Sequence, residues 1–228
     1  MHQNPNAPPI NPLPPVVVAL VMIIAGIEGF FSLGRAGLIG GPEAIGWRLT
    51  AIRDYGFSGD ILRWMIKTGQ VPPDQLVRFV TYPFVHFTFT QALFVVVFLL
   101  ALGKTVGEVF RPWAVLLVFF ASAIMGALAY GLLTQDPRAL VGGFPAVYGL
   151  IGAFTFLLWV NLAAKGANKY RAFTLIGFLL FIQLVFGILF GGRNDWVADL
   201  AGFATGFLLS FIVSPGGWSH LLARLRKR

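Results

Sequence analysis

Six runs of about 20 apolar residues, each the length needed to cross a hydrocarbon core, constrain this chain more than any other feature. They fall at about 16–33, 84–104, 112–134, 144–164, 171–190 and 196–214. Only 11% of the 228 residues are charged, against about 25% in an ordinary soluble domain, and 57% are apolar. The expectation is an all-α membrane protein, a bundle of six transmembrane helices in a lipid bilayer. The sequence has no Cys, which excludes a disulfide scaffold, a thiolate zinc site, an iron–sulfur centre and a Cys nucleophile. Net charge is +8, yet the cations sit in loops and a tail and form no basic face, so no nucleic-acid partner is expected. No motif calls for a metal or a cofactor.

Residues 1–15 are rich in Pro and Asn and are expected to be disordered. They carry no Lys or Arg before the first apolar run and no small-residue cleavage site, so no removable signal is read there. Residues 16–214 form one membrane domain, and residues 215–228 form a basic tail ending LLARLRKR. The long first loop, about 34–80, mixes Trp47, Arg48, Arg53, Tyr55, Arg63, Trp64, Lys67 and Arg78, a pattern suited to helices lying in the membrane interface. Nine cations (Lys104, Arg111, Lys165, Lys169, Arg171, Arg224, Arg226, Lys227 and Arg228) fall on the side of the two termini, against Arg138 and Arg193 in the short loops of the other side. Cationic loops stay in the cytoplasm, so both termini are expected there, with a bacterial inner membrane as the setting. Trp64, Trp113, Trp196 and Trp218 read as interfacial anchors.

Three stretches in order, VRFVTYPFVHFTFTQALFVVVFLLALGKTVGEVF (77–110), GGFPAVYGLIGAF (142–154) and ADLAGFATGF (198–207), resemble the rhomboid family of intramembrane serine proteases. The resemblance covers roughly residues 16–214 and implies the rhomboid-like six-helix bundle with a long amphipathic first loop. In that family a Ser opening the fourth span is the nucleophile and a His in the sixth takes its proton, since a hydroxyl is a poor nucleophile without a base in hydrogen-bond reach. A His and an Asn of the second span help stabilise the oxyanion. The nucleophile motif falls on Gly142, Gly143, Phe144, Pro145, Ala146, Val147, Tyr148 and Gly149, which puts Phe144 where the Ser belongs. The base motif falls on Ala198, Asp199, Leu200, Ala201 and Gly202, so Asp199 stands at the base position. In the second span the family's first His matches His86, its second falls on Gln91 and its Asn on Val95. The resemblance therefore implies a member without its Ser/His pair. Ser122, Ser210 and Ser214 lie in no nucleophile-like context, and a Thr88 or Thr90 nucleophile beside His86 is the remaining route to hydrolysis.

An acid inside a span is expensive, faces the bundle interior and needs a partner. Asp199 is expected to hydrogen-bond Tyr148 or His86, and Glu28 to reach the outer interface or pair with Arg35. Gly202 and Gly206 lie three and seven residues beyond Asp199, on one helix face, and are expected to pack against Gly149 and Gly152. Gln183 and Asn161 read as isolated interhelical polar residues. Arg78 is expected to hold the first loop to the bundle.

The function so implied is that of a non-proteolytic rhomboid-like protein that binds transmembrane segments of client or partner proteins, in assembly, quality control or scaffolding. Phe94, Phe98, Phe178 and Phe181 are the residues placed at its client groove, between the second and fifth spans. The alternatives are an intramembrane serine endopeptidase, a structural subunit of a membrane complex, and a proton or small-molecule carrier built on Asp199 and Glu28.

Overall fold

A lipid environment offers the backbone no hydrogen-bond partners, so long apolar runs close their own bonds as helices. The computed structural model describes residues 12–190 and 194–215; the expected disordered start and basic tail lie almost wholly outside the described residues. Helix α1 (Pro15–Arg35) is followed by a 3-10 turn (Pro42–Gly46) and three short helices, α2 (Trp47–Tyr55), α3 (Gly59–Thr68) and α4 (Pro73–Thr81). A second 3-10 turn (Tyr82–Phe84) leads into α5 (Phe89–Gly107), then α6 (Pro112–Leu133) and α7 (Phe144–Ala164). The chain ends with a turn (Lys169–Phe173), α8 (Thr174–Phe190) and α9 (Asp195–Val213). Pro in the first turn starts α1, α4, α6 and α7, where its missing N–H costs no helical bond. Ser58 caps α3 and Thr88 caps α5, each accepting a backbone N–H with its hydroxyl.

Among the described residues five helices (α1, α5, α6, α7 and α9) are long and apolar enough to cross a membrane. The fifth expected span, about 171–190, is the apolar helix α8, described from Thr174 to Phe190. The second span starts later than its apolar run suggests, at Phe89. Residues 82–88 make a turn and an extended bend instead, in which Tyr82, Pro83, Val85 and His86 are buried. Irregular backbone is tolerated at such depth when protein covers it.

The centre of the bundle is the α7–α9 contact, with α6 packed on both. Lipid tails are as apolar as Leu, so helices associate here through close packing. A β-carbon on Gly202 would land on the Pro145 carbonyl, one on Gly206 on the Gly149 carbonyl, and one on Gly152 on the Phe203 carbonyl. These glycines bring backbone against backbone. Gly126 does the same for α6, where a β-carbon would lie 2.8 Å from Pro145 Cβ and 2.9 Å from the Ala198 carbonyl. Helix α1 packs on α5, where Val17 occupies the space beside Gly103.

The first loop is tied to the bundle by backbone. Phe57 N–H donates to the Leu140 carbonyl at 3.0 Å and Leu140 N–H to the Phe57 carbonyl at 2.8 Å. Arg63 donates to the carbonyls of Gly131 and Thr134, both at 2.7 Å, and so closes the open end of α6. Arg78 donates to the carbonyls of Arg53 and Gly56 at 2.8 Å, fastening α4 to the end of α2. Arg138 fixes the loop before α7 by donating to Asp136 from Nε at 2.8 Å and Nη2 at 2.7 Å. That guanidinium holds the Asp136 carboxyl well below the usual carboxylate range.

Overpacking a full contact costs about 1–3 kcal/mol. Gly206→Ala, which sets a methyl on the α7 backbone, is expected to lower the thermal unfolding midpoint of the detergent-solubilised protein by that equivalent. Gly26→Ala, where a β-carbon meets nothing within 4 Å, should leave it unchanged or raise it slightly.

Candidate functional site

The loop entering α7 is where the polar residues of the interior converge. Gly142 has φ +99°, a conformation that side chains rarely adopt, and a β-carbon on it would sit 2.5 Å from Gln91 Nε2 and 3.3 Å from His86 Cδ2. The chain passes here directly under both side chains. Gln91 spends its amide on this loop: Nε2 donates to the Val141 carbonyl at 3.2 Å, and Oε1 accepts from Phe87 N–H at 2.9 Å. His86 Nε2 accepts from Gly143 N–H at 3.3 Å, and its ring also bonds the Phe84 backbone. An accepting Nε2 carries no proton, so the imidazole is the neutral tautomer with its proton on Nδ1. Val95 is fully buried behind this corner, and its Cγ1 would lie 2.8 Å from a β-carbon on Gly143.

On the other side of His86 lies an ion pair. Glu28, buried in α1, accepts from both terminal nitrogens of Arg48: from Nη1 at 2.9 Å, and from Nη2 in a closer contact. Arg48 Nη1 also donates to the His86 carbonyl at 2.9 Å, and its guanidinium lies over the Phe31 ring, 5.2 Å from the centroid. Glu28 therefore neither reaches the interface nor pairs with Arg35. A buried carboxylate takes the nearest cation that can itself be covered, and Arg48 enters from α2 for that purpose. The planar guanidinium suits it, matching two carboxylate oxygens at once.

Asp199 is buried near the start of α9, and its partner is Gln183 of α8, whose Nε2 donates to Oδ2 at 2.7 Å. Neither Tyr148 nor His86 bonds it: the His86 ring is already held by the Gly143 N–H and the Phe84 backbone, which leaves the carboxyl to the helix on its other flank. Asp199 Oδ1 and Gln183 Oε1 have no partner among the described residues. Tyr148 is buried in α7, and Phe144 is half-buried at the same helix start, packed against the core. Ser122 of α6 is fully buried with no hydrogen-bond partner, pressed on Gly149. Ser210 donates to the Gly206 carbonyl and Thr88 caps α5.

His86, Gln91, Val95 and the start of α7 thus share one corner, and Asp199 looks away from it toward α8. Of the groove aromatics, Phe94, Phe178 and Phe181 are exposed on the bundle surface, and Phe98 is half-buried against the core. Sequence reasoning missed Arg48 and misjudged Gln183. The available signal was the demand of two intramembrane acids for partners; the distances along the chain, 20 and 16 residues, hid which ones. Among the described residues no group of His, Asp and Glu is placed to hold a metal ion.

This architecture, an apolar helical bundle with short helices in its first loop and a buried polar corner at the entry of α7, defines a polytopic integral membrane protein. The Rhomboid domain family matches residues 73–216, more than half of the chain, and the chain belongs to the rhomboid family. It is similar to RHOMBOID-like protein 1 of Arabidopsis thaliana, 35% identical over 96 residues, 42% of this chain and 24% of that protein. It is also similar to Rhomboid-like protease 3 of Toxoplasma gondii, 29% identical over 138 residues, 59% of this chain and 51% of that protein. The chain spans about a quarter and about half of the lengths of these two relatives.

Removing one partner of a buried ion pair strands the other, at a cost of about 3–5 kcal/mol. Arg48→Met is expected to lower the unfolding midpoint in detergent sharply. The double variant Glu28→Gln with Arg48→Met should recover much of the loss, because no buried charge is then left alone.

Proposed function

We propose that this rhomboid-family membrane protein holds transmembrane segments of other proteins and does not cut them, serving their assembly, quality control or scaffolding. The observation that carries this reading is that, among the described residues, no hydroxyl is hydrogen-bonded to His86 or to Asp199. A serine or threonine without a base beside it is inert as a nucleophile. In this reading Phe144, Asp199, His86, Gln91, Val95 and Tyr148 are the positions of a former active site, and their polar groups now fasten the scaffold. The His86 acceptor is taken by Gly143 N–H, and the Gln91 amide donates to Val141 in place of an oxyanion.

The client surface in this proposal lies along α5 and α8, with Phe94, Phe98, Phe178 and Phe181 as contact residues. Support comes from α8 itself. Its first half rests on the core through Leu175, Ile176, Leu179 and Leu180, and Gln183 bonds α9. Among the described residues it shares no substantial contact with α5. Phe178 and Phe181 are 60% and 62% exposed, which leaves an aromatic face for another helix. The distribution of cations supports a bacterial inner membrane with both termini in the cytoplasm.

The test is photocrosslinking in native membranes with a photoreactive residue at Phe178 of the full chain and, as control, at Leu208 on the lipid-facing side of α9. Capture of intact transmembrane proteins at Phe178 but not at Leu208 is expected. Clipped clients, with clipping abolished by Ser122→Ala or Thr88→Ala, would replace this reading with proteolysis. Gln183→Leu, which leaves the Asp199 carboxyl without its donor, is expected to destabilise the protein by about 1–3 kcal/mol and to raise capture at Phe178.

A further inference from the structure

Where α1 ends and α5 begins, a cavity of about 430 Å³ opens between Ser32, Arg35, Arg48, Thr88, Phe87 and Phe89. Ser32, Arg35 and Phe89 take no part in the reading above, and Arg48 forms one wall. The charges around it do not cancel. Glu28 balances Arg48, but the Arg35 guanidinium has no ion pair or side-chain hydrogen bond among the described residues. Of the five N–H donors of Arg48, three are engaged by Glu28 and the His86 carbonyl, so two remain on a residue that lines the cavity. The Ser32 and Thr88 hydroxyls add donors, and Thr88 keeps its O–H free because it caps α5 as an acceptor. The cavity is thus a donor-rich pocket with one uncompensated positive charge.

The walls around it are apolar. Phe89 is exposed at the mouth, and Phe30, Leu33 and Leu93 continue an exposed apolar surface along α1 and α5 into the hydrocarbon zone. Phe30 is stacked on Trp47, ring centroids 4.4 Å apart, which stiffens that surface. The cavity lies at the level where the membrane-crossing helices stop, the depth of the phosphate groups in a bilayer.

We propose that this pocket binds a phosphodiester monoanion, that of a phospholipid headgroup, with its acyl chains lying along Phe89, Phe30 and Leu33. The single uncompensated charge matches a monoanion. Arg35 forms the two-pronged contact a phosphate accepts from a guanidinium, and Ser32, Thr88 and the spare edge of Arg48 donate to the remaining oxygens. A lipid with net negative charge is preferred over a zwitterionic one because no acidic side chain lines the cavity to receive a choline or ammonium group.

The test uses the full chain reconstituted into phosphatidylcholine vesicles carrying a small fraction of phosphatidylglycerol with a photoreactive acyl chain. Labelled peptides are mapped after irradiation. Labelling within residues 30–36 and 87–93 is expected, reduced at least fivefold in Arg35→Gln and less than that in Arg35→Lys, which keeps the charge and loses the two-pronged contact. Arg35 is exposed and without a partner, so both variants should keep the parent unfolding midpoint. Excess unlabelled phosphatidylglycerol should compete, and its soluble headgroup, glycerophosphoglycerol, should not. Competition by the soluble headgroup at equal concentration would keep the site and assign it to a water-borne phosphodiester. Equal labelling of those peptides in the parent and Arg35→Gln, or equal labelling by a phosphatidylcholine probe, would overturn the proposal.

Discussion

Backbone-to-backbone contact between α7 and α9 is the condition on which the rest of this bundle is built. Inside a bilayer the burial of one apolar surface against another gains little, because the lipid it displaces is equally apolar. Helices hold together where they approach closely enough for dispersion and weak polar contacts to add up. Gly149, Gly152, Gly202 and Gly206 allow that approach, and Gly126 admits α6 to the same seam. With three helices locked this way, the start of α7 becomes a fixed point, and the loop before it can be gripped by side chains from α5.

The interior polar groups are spent on joining elements that small residues cannot join. His86 and Gln91 hold the α7 entry loop, Arg48 links α1, α2 and the segment before α5, and Gln183 links α8 to α9. Each connects segments that differ in direction or regularity, where ridge-into-groove packing fails. An unsatisfied donor or carboxylate at this depth costs several kcal/mol, so each such bond also specifies one arrangement over its alternatives.

The helices of the fold were readable from apolar run length alone. The expected bounds of the first, third, fourth and sixth spans lie within two residues of α1, α6, α7 and α9. The second was misplaced at its start because hydropathy cannot distinguish burial in lipid from burial in protein: residues 84–88 are apolar enough to read as span, yet Pro83 and the bond from Gly142 N–H to the Tyr82 carbonyl hold the segment before α5 as a turn. The polar pairings were less legible. Asp199 and Glu28 announced that they needed partners, but a lone Gln on the next helix and an Arg in an irregular loop carry no periodic signal. Their pairing depends on where the loop returns, which the packing of α2 and α8 decides.

Helix α8 departs from this pattern. Among the described residues it rests on the core through Leu175, Ile176, Leu179 and Leu180, and it is tied to α9 by one amide on one carboxyl oxygen. The other oxygen of that carboxyl and the other end of that amide are unmatched among the described residues. Its hold on the seam differs in kind from that of α7 on α9: apolar side chains and one polar bond take the place of backbone against backbone.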